Sequence, residues 1–426
     1  MKLSSLIGHV TELYSDILHS PKPADRLMDQ FFRERKYLGS KDRRFISESL
    51  YGMLRHKKRI EWSLSLLEQK NTPLYVCVSY LLLDHKMSVE NVSGEMDIPL
   101  DVLRQIDQRI NIEPVLHSEI ETFATKFSFQ EWMIAEWETN IGKNEIPPLC
   151  ATLNQQAPIT LRVNTIKISR DECRQKLLQE GIETDIAVLS PYGLHLKKRT
   201  NVFQLQAFKD GLFEVQDEGS QLLALLVDPK PKSKVIDACA GAGGKALAMA
   251  SIMNNRGEIF ALDVHSFRLE ELHKRIRRSG VDSIRTRVIQ ADETIKEFVE
   301  SADYVLVDAP CTGTGTIRRN PGMKWSVSQL MVDELQQKQY SILTLNSQYV
   351  KPGGRLIYAT CSLIQSENQG VVEKFLSLHP QFELVEPSSI LSRYQLAHVA
   401  NKKYFQLLPH QHNTDGFFAA VMRYKN

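Results

Sequence analysis

Cysteine is sparse in this chain of 426 residues, and its six thiols (Cys77, Cys150, Cys173, Cys239, Cys311 and Cys361) never fall at a CxxC or Cys/His ligand spacing. That scatter argues against a zinc site and against a disulfide framework, and it fits a reduced, cytoplasmic setting. Charge of one sign is missing too. With a formal net charge of only +2, the chain as a whole does not announce a polyanionic partner. No apolar run approaches membrane-spanning length, and the opening MKLSSLIGHVTELYSDILHS is broken by polar residues where a secretion signal needs an apolar core. Neither an internal repeat nor a low-complexity tract is present. The expectation is a cytoplasmic, soluble protein that uses no membrane and no metal.

What is there is an ordinary globular composition, 42% hydrophobic and 24% charged, over a length that calls for two or three cores. Pro-bearing stretches at 144–158 and 227–234 divide it. Residues 1–142 read as a helical domain, in which Ile46, Leu50, Met53 and Leu54 recur at helical spacing. Between Arg33 and Arg59 stand ten Lys or Arg against Glu34, Asp42 and Glu48, a local excess of seven positive charges. Such a run usually marks a solvated helix face; its concentration favours a surface for a polyanion. Residues 150–228 read as a small α+β domain, with a capping box at Ser169 and Glu172 and a helix stop at Gly181.

From residue 234 short apolar runs (KVIDAC, GEIFALDV, TRVIQAD, YVLVDAP, GGRLIYATC) alternate with amphipathic stretches. Strands buried on both faces and separated by helices make a doubly wound parallel sheet over 232–426, which binds ligands at its carboxyl edge. The first run turns through DACAGAGGKA, where Gly241, Gly243 and Ala246 fit G-x-G-x-x-G/A and Asp263 follows at the distance of a ribose contact. Nicotinamide enzymes and S-adenosylmethionine enzymes share that pattern. A phosphate-binding P-loop is excluded, because Cys239 stands at its first Gly and Ala246 at its Ser/Thr. Asp263, Asp292 and Asp308 at successive strand ends suit hydroxyl and amine donors and repel a pyrophosphate, although each also fits a helix N-cap.

Lone cysteines are usually small buried hydrophobes, and Cys77, Cys150 and Cys173 fit that description. Cys311 and Cys361 do not, since both close strands at the ligand edge and face one pocket from opposite sides. Carbon 5 of a pyrimidine is a poor nucleophile until a thiolate adds to carbon 6; Asp308, near ring nitrogen 3, would stabilise that adduct. Arg318, Arg319 and Lys324 follow Cys311 with Trp325, as phosphate contacts and a stacking ring for an unstacked RNA base. The residues alone do not choose between the thiols. A nicotinamide oxidoreductase and a non-catalytic RNA-binding scaffold also stay open.

The segments DACAGAGGK, ALDVHSFRL, DAPCTGTGTIRRNPGMKW and YATCSLIQSEN, with LRVN and VQDEGSQ before them, resemble the NOL1/NOP2/Sun family of RNA 5-methylcytosine methyltransferases over roughly 155–426. DRRFISESLYGMLRHKKRIEWSL, which carries Arg43 and Arg44, is similar to the NusB-like RNA-binding module preceding the catalytic part in the bacterial 16S rRNA enzyme of that family. The resemblance implies a class I methyltransferase Rossmann-like sheet, preceded by a small α+β domain and an all-helical NusB-like domain. It implies Cys361 as nucleophile, Cys311 as the thiol assisting release, and Asp308 beside them. Cys239, Ala240, Gly241, Ala242, Gly243, Gly244, Lys245, Asp263, Arg268, Asp292 and Asp308 would hold S-adenosylmethionine. Arg43, Arg44, Arg318, Arg319 and Lys324 would meet RNA, ribosomal first and transfer RNA next, with the protein acting as a monomer. Two departures stand out: CAGAGGKA replaces the usual CAAPGGKT, and Gly322 stands where an acid often follows the Pro.

Overall fold

A computed structural model describes every residue except 21, 68–70, 97 and 401–402. It forms two compact units, residues 1–156 with 317–328, and residues 157–316 with 329–426.

The first unit is helical. Its longest helix, Ser40–Ser65, buries the expected stripe of Ile46, Leu50, Met53 and Leu54. It lies close against the helix Pro73–Leu83, because a Cβ on Gly52 would stand 1.9 Å from the Tyr80 ring. That second helix starts cleanly: Thr72 accepts the Tyr75 amide and Pro73 occupies the first turn. The helix Ile146–Leu153 belongs to this unit. The basic stretch is less basic than its own sequence. Arg35 pairs with Glu12, Lys57 with Glu61, Lys58 with Glu131 and Arg59 with Glu113, all acids from outside it. Exposed Arg44 pairs with Glu48, while half-buried Arg43 donates to the Leu38 carbonyl 2.9 Å away.

Residues 317–328 complete this unit. Lys324 is fully buried, its ammonium 3.0 Å from the Arg55 and Ser128 carbonyls, bonded also to Asn154, and 3.6 Å from the centre of the Phe129 ring. Burial holds its pKa well below the usual lysine range. Arg318 is buried beside it, within reach of the Gln156 carbonyl, and Trp325 donates its indole N–H to Leu54. The expectation that Arg318 and Lys324 contact phosphate is therefore corrected: both side chains are buried inside the helical unit. Arg319 is half-buried in the same segment. Lys324→Met removes the donor from these oxygens, and the expected loss is about 2–4 kcal/mol of stability, read as a lower melting temperature by circular dichroism.

In the second unit, strands β1 (Thr160–Val163), β2 (Thr184–Ile186), β3 (Gly193–Leu196) and β4 (Phe213–Val215) form an antiparallel sheet in the order β2-β3-β1-β4. The helix Arg170–Gln179 opens on the expected Ser169–Glu172 capping box, and Gly181 follows it at φ +79°. The larger sheet contains β5 (Lys234–Asp237), β6 (Glu258–Asp263), β7 (Ile284–Val288), β8 (Ala302–Asp308), β9 (Val350–Thr360), β10 (Phe382–Val385), β11 (Phe405–Leu407) and β12 (Phe417–Tyr424). Its order is β10-β12-β9-β8-β5-β6-β7, with β11 paired to β12. Strands β5 to β9 are parallel and β12 runs against β9, which is the expected Rossmann-like architecture with an antiparallel edge.

The small sheet is part of this unit, not a separate body. Buried Arg162 of β1 donates to the Gly244 carbonyl 2.5 Å away. Asn164 donates to Ser279, and Glu214 of β4 pairs with Arg275 and Arg278. No helix among the described residues is long and apolar enough to cross a membrane.

Candidate active site

Strand order reverses between β5 and β8, and a cleft of about 1250 Å³ opens at the carboxyl ends there. Cys239, Ala240, Gly241, Ala242, Asp263, Arg268, Asp292, Asp308, Cys311 and Cys361 all line it, so sequence positions from five strand ends converge.

The glycine turn leads from β5 into the helix Gly244–Ile252. Gly241 has φ +54°, and a Cβ built on it would meet nothing within 4 Å, which leaves a bare backbone surface beside the cleft. Gly243 (φ +78°) is required for a different reason: a Cβ there would stand 2.0 Å from Leu272. Asp263 ends β6, accepting from the Gly241 amide at 2.9 Å and the His265 amide at 2.8 Å. Its remaining lone pairs are available to hydroxyl donors. Arg268 stands 3.8 Å from it and half-exposed. Asp292 lies four residues beyond the end of β7, exposed on the cleft wall.

Lys245 and Gly244 do not line this cleft. With Asp237 and Asp308 they border an adjoining space of about 140 Å³. Lys245 donates to Asp308 at 2.5 Å; burial works against its charge, but Asp308, then Asp237 and Cys361, raise its pKa. Asp237, at the end of β5, was not singled out, although an acid at a strand end is the signal that marked Asp263. It is buried, neither of its carboxyl oxygens has a hydrogen-bond partner, and burial followed by Asp308 pushes its pKa up to about 7. An orphaned acid, a bare glycine surface and Asp263 fit a ligand with amine, hydroxyl and cationic groups, as S-adenosylmethionine has.

The thiols meet at the other wall. Cys311 and Cys361 stand with sulfurs 3.5 Å apart, each partly exposed. The hydrogen bond shared with Cys361, then burial, then the charges of Cys361 and Glu367 hold the Cys311 thiol well above its usual range. Burial likewise raises Cys77, Cys150 and Cys173 to about 12, which leaves them as inert packing groups. Among the described residues, no group of three His, Cys, Asp or Glu side chains is placed to hold a metal ion. Lys338, on the cleft wall, was invisible in the sequence because nothing local ties the helix Gln329–Ser347 to the strand ends.

Residues 224–423 match the family described as 16S rRNA methyltransferase RsmB/F, and residues 129–203 match its ferredoxin-like domain. The probable ribosomal RNA small subunit methyltransferase B of Synechocystis sp. is 31% identical over 416 residues, 91% of this chain and 92% of that protein. The probable enzyme of the same name from Bacillus subtilis is 30% identical over 414 residues, again 91% and 92% of the two chains. The crystal structure of PH0851 is 25% identical and superposes with a TM-score of 0.78 over 99% of both chains.

Proposed function

The chain belongs to the RsmB/F family of 16S rRNA methyltransferases, and from that premise we propose that it methylates carbon 5 of a cytidine in ribosomal RNA through a covalent bond from Cys361 to carbon 6. Methyl transfer from S-adenosylmethionine to RNA is the activity of the family. The observation that carries the finer reading is the pair of sulfurs 3.5 Å apart at the edge of the cleft.

Two thiols this close titrate as a pair rather than singly. The family motif around Thr360, Cys361 and Ser362 gives the attack to Cys361 and leaves Cys311 to assist. The Cys361 thiolate adds to carbon 6 as the carbon 5–carbon 6 double bond opens, and the charge that develops on the ring is neutralised at nitrogen 3 by the proton that Asp308 shares with Lys245. S-adenosylmethionine, when bound, supplies a methyl group on a cationic sulfur for the carbon 5 so activated. A base then takes the proton from carbon 5, the double bond to carbon 6 returns, and Cys361 leaves as thiolate with Cys311 beside it to assist. Cys239, Ala240, Gly241 and Ala242 of the turn, with Asp263, Arg268 and Asp292, would hold the cofactor, while Lys245 fixes Asp308 from the adjoining space. We place this reaction in the cytoplasm, in a protein acting as a monomer.

Asp237 gives the cofactor site a pH dependence. A cationic ligand favours the ionised acid, so binding lowers the Asp237 pKa below about 7 and affinity rises with pH. The expected change in S-adenosylmethionine affinity between pH 5.5 and 8 is about tenfold, measured by calorimetry. Stability of the ligand-free protein has the opposite sign. With its folded pKa raised from 3.8 to about 7, the acid keeps its proton in the folded chain while the unfolded chain loses it, so the melting temperature falls as pH rises toward 7 and levels off above it.

The test is incubation with methyl-labelled S-adenosylmethionine and unmodified ribosomal or transfer RNA, followed by digestion to nucleosides. Labelled 5-methylcytidine from the ribosomal pool is expected. Label in the transfer RNA pool alone would reassign the substrate, and label in another nucleoside would overturn the cysteine mechanism.

A further inference from the structure

Glu367 lies five residues past the Ser362 that follows the nucleophile, and it is completely buried. Its carboxyl oxygens accept from the Thr312 amide (2.8 Å), the Thr312 hydroxyl (2.5 Å), the Ser362 hydroxyl (2.5 Å) and the Gln339 amide (2.9 Å). Thr312 is the residue after Cys311, and Ser362 is the residue after Cys361. One side chain therefore grips both thiol-bearing loops at the bond next to each sulfur. Gln339 extends the grip by also donating to the Pro310 carbonyl at 3.0 Å, on the other side of Cys311.

Burying a carboxyl group away from water is expensive unless its oxygens are fully engaged. Here four donors engage it, and they come from three separate parts of the chain. Packing alone does not require an acid at this point, since Val371 and Val372 nearby fill the core without one. We propose that Glu367 is a positioning residue, which sets the separation of Cys311 and Cys361 by holding Thr312 and Ser362 together. The proposal rests on the reading that both thiols serve one base. Attack by Cys361 needs only its own loop; release needs Cys311 within reach of the same ring.

The test compares Glu367→Gln with the parent in the full-length protein, by two independent readouts. The amide variant keeps the volume but turns an N–H group toward donors, so the loops lose their common acceptor. In methylation assays the expected result is a fall in kcat of about tenfold or more, with KM for S-adenosylmethionine and for RNA within about twofold. A covalent RNA adduct accumulates at the same time. In the absence of RNA, diamide takes two electrons and two protons from the paired thiols and closes a Cys311–Cys361 disulfide, mapped by peptide mass spectrometry. That closure is expected to slow about tenfold in the variant, because the sulfurs must come from 3.5 Å to about 2.05 Å.

Equal rates of closure, or a kcat within threefold of the parent, would overturn the proposal. So would a joint collapse of kcat, cofactor affinity and melting temperature in Glu367→Gln, if Thr312→Val, which removes a single hydroxyl donor, leaves closure and kcat unchanged. Slower closure in Glu367→Gln, alongside a parent protein that methylates no RNA, would sink the functional reading while leaving the positioning role in place.

Discussion

Cys361→Ala protein incorporates methyl groups into RNA about four orders of magnitude more slowly than the parent, while its fold and its affinity for S-adenosylmethionine stay near parent values. The expectation follows from where the sulfur sits. Cys361 closes β9 at the rim of the cleft, and the hydrogen bonds that shape its loop are made by Thr360, Ser362 and Asn368 rather than by the thiol. Removing one sulfur leaves that scaffold intact but leaves carbon 5 without activation. Single-turnover kinetics with labelled cofactor measure the loss. Retention of full activity would give the attack to Cys311 and reverse the two roles.

Cys311→Ala behaves differently. The nucleophile is present, so addition and methyl transfer proceed, but the thiol beside it that assists release is gone. The expected result is a protein–RNA adduct that survives a denaturing gel, with turnover reduced by roughly 10²–10⁴-fold, the range for removal of a positioned acid–base group. The double variant lacking both sulfurs should form no adduct. Rapid turnover by Cys311→Ala without adduct would show that release needs no second thiol.

The parallel sheet was legible because strands buried on both faces read as continuous apolar runs, and acids or thiols at their ends stand out against them. The helical stripe of Ile46, Leu50, Met53 and Leu54 was legible for a similar local reason, its period. The glycine turn was not decisive: a nicotinamide enzyme could carry Gly241, Gly243 and Asp263 equally well, and only the two thiols and the family motifs removed that ambiguity. The misreadings share one cause, distance along the chain. The excess of seven positive charges counted over 33–59 leaves out Glu12, Glu113 and Glu131, which pair with it from outside the run. Arg318 and Lys324 looked like neighbours of the cleft because they follow Cys311 closely, yet the chain enters the helical unit after Thr316. Glu367 sat in view in YATCSLIQSEN, but its partners Thr312 and Gln339 lie 55 and 28 residues upstream.

The return of residues 317–328 to the helical unit also sets an order of assembly. About 160 residues separate the end of the first helical segment from the strand of chain that carries Lys324. At roughly 5–20 residues per second of synthesis, the helical core waits on the order of 8–30 seconds for its last piece to emerge. Until then, the carbonyls of Arg55 and Ser128 and the Phe129 ring lack the ammonium that later joins them. The newborn helices must persist without it, so the helical half, though first to be made, is finished only after β8 has left the ribosome.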